Sequence, residues 1–287
     1  MVRSPSNISL KIEVWDSPVI ELLLTIFAYE HPFNWDSLEA GKAGQQRIRQ
    51  GMSPELRGLL AELGLTGSRV HAWTSVAAWT WQQRIREPAA AATALEAETD
   101  DTRRRMATVI RLWHRDLFAA QEPALRERLE RAAEATRELA RRLAPEELIE
   151  TVTNGIVWRR RPEIEQAVLV PSVVTSPWST HEHVGSGVLF TFPVAQPYDP
   201  MERVQRLSAV LSDRTRVAAL RLLAERELTL QEMADELGVS KSTMHHHLAQ
   251  LRAAGLLRVP LGTKSYSLRR QPLEELGSAL NEFGREK

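Results

Sequence analysis

The chain has 287 residues, 43% of them hydrophobic and 26% charged, with a formal net charge of zero. That is enough for two domains and a real core. No run approaches the ~18 consecutive apolar residues of a membrane span, and the N-terminus lacks a basic region followed by an apolar stretch, so the expected address is the cytoplasm. With no cysteine, disulfides, thiolate metal sites and thiol redox sensing are excluded.

Residues 7–15 alternate Ile8, Leu10, Ile12 and Val14 with polar partners, which predicts a half-buried strand. Ser17-Pro18 reads as an N-cap and first helical position, opening an apolar helix through Tyr29 that His31-Pro32 ends. Ser53-Pro54 repeats the signal for a helix to Leu63, with Gly64 closing it. Residues 69–86 read as helix, Ala89 to Asp101 as a linker or a loosely held helix, and Thr102 to Ala120 as helix again. From Pro123 to Leu143 the residues Leu125, Leu129, Ala132, Thr136, Leu139 and Leu143 form one apolar stripe. That helix packs on its own domain or forms part of a dimer seam. Pro145 opens a further helix, stopped at Asn154-Gly155.

The composition then changes. Residues 167–175 and 187–195 are β-branched runs that read as strands, with Pro171 and Pro193 marking edges or bulges. Between them His181-Glu182-His183 falls in a polar loop; as an extended pair it resembles a metal-binding arrangement, and otherwise it is plain surface. Gln196 to Pro200 reads as a linker. The expected division is therefore a helical N-terminal domain with a small sheet over 1–198 and a DNA-binding domain over 199–287. The fold class is mainly α with small β elements (α+β).

In the second part Met201–Leu211 and the stretch capped by Asp213 read as two helices. Thr229 with Glu232 is a capping box; Leu230, Met233 and Leu237 give one apolar face; Gly238 stops the helix; Ser240 caps the next. Two capped helices around one glycine are the unit that presents a helix to the DNA major groove. Leu257, Val259 and Leu261, a Gly262-Thr263 turn, and Ser265 to Leu268 predict a β-hairpin wing, and Pro272 to Phe283 a closing helix. Residues 201–287 carry 14 Lys+Arg against 11 Asp+Glu, and Ser240 to Leu273 holds no acid at all. A one-signed segment inside a neutral chain suits a phosphate backbone.

LSDRTRVAALRLL (211–223), ADELGVSKSTMHHHLAQLRAAGLL (234–257) and the helix after the hairpin resemble the ArsR-type winged-helix transcriptional regulators. The resemblance implies a homodimer through the first and last winged-helix segments, a palindromic operator on double-stranded DNA, and repression relieved by an effector. The metal-sensing members carry cysteines in an ELCVCDL pattern; here that region reads ELTLQEM (227–233), and the last helix has Glu274, Glu275 and Glu282 but no histidine. No metal or cofactor is therefore expected, and the input is assigned to the N-terminal domain.

With Met244 centred on the buried face, ~100° per residue brings Leu248 and Leu251 beside it. The expected groove-facing set is Lys241, Ser242, Thr243, His245, His246 and Gln250, with Thr243 and Gln250 able to donate and accept at base edges. His247 turns toward the interior. Arg258, Lys264 and Arg269 are the expected phosphate contacts of the wing. All eight tryptophans lie in the first 200 residues. Core packing accounts for them, or an aromatic-lined pocket for a small apolar or aromatic effector, for which Trp73, Trp81 and Trp113 are the candidates. No phosphate-binding glycine loop, nucleophile elbow or catalytic pair emerges, so no enzyme is expected. The alternatives are a regulator answering to a protein partner, or an enzyme fused to a winged helix.

Overall fold

Among the described residues helices dominate, with two four-stranded sheets, an α+β arrangement. The computed structural model describes residues 10–31, 38–64, 71–159, 161–194 and 200–283. The start of the expected first strand (7–9) and most of the linker at 196–200 lie outside them. The described chain forms two units, one of residues 1–142 and 162–194, the other of 143–161 and 195–287. In this division residues 143–161 fall with the C-terminal unit.

In the first unit, β1 (Lys11–Val14) leads into α1 (Pro18–Glu30), which has Pro18 at its first turn. Every residue from Pro18 to Leu24 is buried, as a helix apolar on all sides must be. Around it stand α2 (Gly41–Gly51), α3 (Pro54–Leu63), α4 (Ala72–Gln82), α5 (Pro88–Glu96), α6 (Asp101–Trp113) and α7 (Glu122–Ala140). A π-helical turn at His114–Phe118 continues α6. The stretch read as linker or loose helix is α5, fixed by Ala91, Ala92 and Leu95, all fully buried. On α7 the stripe is buried at Leu129 and Thr136, while Leu139 is exposed. After α7 the chain leaves this unit for α8 (Pro145–Val152) and β2 (Ile156–Val157), then returns for β3 (Gln166–Ser172), β4 (Thr180–Val184) and β5 (Gly187–Pro193).

The strand order is β1-β3-β5-β4, with β1, β3 and β5 parallel and β4 antiparallel at the edge. Ala167 to Val170 and Val188 to Phe190 are buried on both faces, which explains their unbroken apolar runs. Two expectations are corrected here. Pro171 lies in a central strand, tolerated because its β1 neighbour ends at Val14, opposite Leu169. The polar loop around His181-Glu182-His183 is the strand β4, registered by Thr180, whose hydroxyl is 2.7 Å from that of Thr191. Both histidines are exposed, with ring centroids 6.1 Å apart. Among the described residues no group of three or more His, Asp or Glu is placed to hold a metal.

Glu21, in the first turn of α1, is fully buried. Its Oε1 accepts from the backbone N–H groups of Val173 (3.0 Å) and Val174 (2.7 Å), just past β3. Burial pushes its carboxyl up to about 7, against the opposing pull of those hydrogen bonds.

The second unit adds α9 (Pro200–Leu211), α10 (Arg214–Glu225), β6 (Leu228–Thr229), α11 (Leu230–Leu237), α12 (Lys241–Ala253), β7 (Leu257–Pro260), β8 (Ser265–Leu268) and α13 (Gln271–Phe283) to α8 and β2. Its sheet runs β2-β7-β8-β6. Leu220, Leu223, Met233, Met244, Leu248, Leu251 and Leu257 fill the core between helices and sheet.

Candidate nucleic-acid interface

The placement of α12 begins with the helix before it. At the start of α11 the Thr229 side chain accepts from the Glu232 N–H (3.3 Å) and Glu232 accepts from the Thr229 N–H (2.7 Å). Those bonds from Thr229 hold the Glu232 carboxyl below its ordinary range. Gly238 closes α11 with φ +63°, a conformation costly for a side chain with a Cβ. The Val239 N–H then reaches back to the Ala234 carbonyl at 3.0 Å. Ser240 caps α12 by accepting from the Thr243 N–H at 3.1 Å. A polar cap thus fixes each helix start, and α12 leaves the turn with its first residues in solvent.

Met244, Leu248 and Leu251 face the core with at most 3% exposure. Lys241, Ser242, Thr243, His245 and His246 are exposed, and Gln250 is half-buried. The Gln250 Nε2 lies 2.8 Å from the His246 Nε2, so the two present one linked polar edge. The Thr243 hydroxyl is 2.8 Å from that of Ser240, which ties its orientation to the cap. His247 is turned inward, with its Nδ1 3.8 Å from an Asp213 carboxylate oxygen.

The acid-free run separates into different placements. Lys264 is exposed in the hairpin turn, beside Gly262 with φ +83°. Arg258 is half-exposed and bonded to Glu150 of α8 at 2.7 Å. Arg269 does not fit the phosphate contact expected of it. It is buried, with Nη2 on Gln271 Oε1 (3.0 Å) and Nη1 toward the Gly255 carbonyl (3.4 Å), so it braces the hairpin. Arg252 is half-buried too, and burial draws its pKa below the ordinary guanidinium value. Sequence reasoning missed β2 and β6, whose two residues each carry no periodic signal.

In the first unit the three candidate tryptophans part company. Trp73 and Trp113 are fully buried in the core cluster. Trp81 borders a cavity of about 370 Å³ lined also by Gln82, Arg84, Gln166, Val184 and the Gly185-Ser186-Gly187 turn. Glu13 organises one side of it, accepting from Gln166 Nε2 (2.5 Å) and Trp81 Nε1 (3.4 Å) and pairing with Arg84. The Arg84 guanidinium also lies over the Trp15 and Trp81 rings, 5.3 and 5.7 Å from their centroids.

Comparison with known proteins bears on the C-terminal unit. Residues 213–259 match the family model described as "Bacterial regulatory protein, arsR family". Over 66 residues the chain is 38% identical to the HTH-type transcriptional regulator KmtR of Mycobacterium tuberculosis (strain ATCC 25618 / H37Rv), covering 23% of this chain and 51% of that one. The chain thus spans about half the length of that curated relative. Among solved structures it matches an ArsR-like transcriptional regulator from Rhodococcus sp. RHA1 (27% identity, TM-score 0.30, covering 31% of this chain and 86% of that one). It also matches NolR from Sinorhizobium fredii (26% identity, TM-score 0.25, covering 31% and 98%). Residues 213–259 are therefore an ArsR-family helix-turn-helix segment. No described helix is long and apolar enough to cross a membrane.

Proposed function

We propose that the chain is a sequence-specific repressor that binds a palindromic operator as a homodimer, with its affinity for DNA controlled by a small-molecule effector held in the N-terminal unit. The carrying observation is the outward row Lys241, Ser242, Thr243, His245 and His246 on the helix that follows the capped turn, inside the segment that matches the family. Lys241 meets phosphate or a guanine edge, and the His246–Gln250 edge reads bases. Lys264 contacts phosphate from the wing. Met201 on α9 and Leu280 on α13 are exposed at 42% and 49%, which supports the dimer through those two helices. The cavity at Trp81 is the place the reading gives to the effector, within the ~300–1,000 Å³ range of ligand pockets. No catalytic step is assigned.

Fluorescence anisotropy of the full chain on its operator and on random-sequence duplex tests the assignments. Lys264→Ala is expected to weaken both complexes alike and to shallow the salt dependence by about one charge. An unchanged slope removes the phosphate role. His246→Ala is expected to cost about 1–3 kcal/mol on the operator and little on random sequence; equal losses on both make it a backbone contact.

A further inference from the structure

We infer that the segment 143–161 is a gate on the wing: Glu150 holds Arg258 in an ion pair that a DNA phosphate must displace, so the segment sets how much charge the wing offers to DNA. The inference rests on reading the wing as a phosphate-contacting element.

The segment is an excursion. The chain before it, through α7, and after it, from β3, belongs to the first unit, yet 143–161 itself packs in the second. It is seated by backbone. β2 runs parallel to β7, Ile156 opposite Val259 and Val157 opposite Pro260. The Val259 N–H donates to the Gly155 carbonyl at 2.8 Å and the Leu261 N–H to the Val157 carbonyl at 3.0 Å. Two residues of strand are a small anchor, but its position is sterically specified. Gly155 has φ +109°, and a Cβ there would stand 2.0 Å from the Leu257 carbonyl oxygen. Gly155, just past the end of α8, therefore lies against the wing strand where only glycine fits.

The same turn aims Glu150. The Gly155 N–H donates to the Glu150 carbonyl at 2.9 Å, so α8's last turn and β2 form one piece. The Glu150 carboxylate then meets Arg258 Nη2 at 2.7 Å, on the residue between Leu257 and Val259. Glu147, Thr151, Leu268, Arg269, Arg270 and Gln271 line the cleft around this pair. The guanidinium is 43% exposed and the carboxylate 21%. A pair so open to water is weak, and a phosphate presents the guanidinium with an equivalent partner.

The test measures Kd of the full chain for random-sequence duplex across a salt series. Glu150→Gln keeps the shape and removes the hold on Arg258. It is expected to tighten binding roughly three- to tenfold near ~0.1 M salt and to steepen the salt slope by about one phosphate contact. Glu150→Asp keeps the charge but shortens the reach and is expected to give part of that gain, which guards against a fold defect in either variant. In an Arg258→Ala background the gain from Glu150→Gln is expected to vanish. An equal gain in that background overturns the gate, because it would reflect the protein's overall charge. No gain from either Glu150 variant, while Lys264→Ala still weakens binding, overturns the gate and leaves the wing reading standing. No effect from any of the three overturns both.

Discussion

Met244→Ala is expected to destabilise the C-terminal unit by about 2–5 kcal/mol, the range for deleting a fully buried long side chain. Met244 has no exposed surface and sits where α12 meets α10, α11 and the wing sheet. The loss includes a cavity as well as transferred methylenes, because the neighbouring Leu248, Leu251 and Met233 are already held by two capped helix starts and cannot collapse freely. DNA binding is expected to fall with the folded fraction and to recover at low temperature. Met244→Leu, close in volume, is expected to cost under about 1.5 kcal/mol. Ser242→Ala, two residues past the cap on the exposed face, is expected to stay within about 0.5 kcal/mol. Urea denaturation followed by far-UV circular dichroism distinguishes these outcomes. Equal stability of the Ala and Leu variants would mean that the face of α12 carrying Met244 is not the one that packs.

The second large effect lies in the other unit. Glu21 has its folded pKa raised to about 7 from an ordinary 4.5, chiefly by burial. Between those values the folded state binds more protons than the unfolded one, so stability falls as pH rises. The stabilising contribution is complete below the unfolded value and is lost through the folded value. The window is about pH 4.5 to 7, and the shift corresponds to about 3 kcal/mol in all. Glu21→Gln, which keeps an acceptor for Val173 and Val174, is expected to remove that slope and to be the more stable form at pH 8. Denaturant titrations of both proteins at pH 5 and pH 8 check this. An unchanged difference between wild type and variant across that range would show that Glu21 does not titrate there.

The C-terminal unit was legible because its signals are local. A capping box, a glycine with positive φ and a serine cap each act within four residues, and the spacing of Met244, Leu248 and Leu251 names the inward face directly. Side-chain commitments across the fold were not legible. Arg269 and Arg258 look alike in a basic run, but one braces the hairpin and the other meets Glu150, more than a hundred positions earlier in the chain. In the first unit, α1 and the parallel strands showed themselves by apolar content, whereas β4 did not. Its partly buried Thr180, Glu182 and Val184 are packed by pairing with β5, which no local pattern announces. The tryptophans illustrate the same limit. Composition gathers them in the first 200 residues, but only the fold separates Trp73 and Trp113, sealed in the core, from Trp81 at a cavity.

Genome-wide footprinting of the purified full chain tests the DNA-binding role of α12 most directly. The expected result is a small set of protected sites, each with two inverted half-sites about one helical turn or a multiple of it apart, and loss of that protection on Lys241→Ala/His246→Ala double substitution with the fold intact. Protection no better than on random sequence, or sites indifferent to both residues, would contradict it.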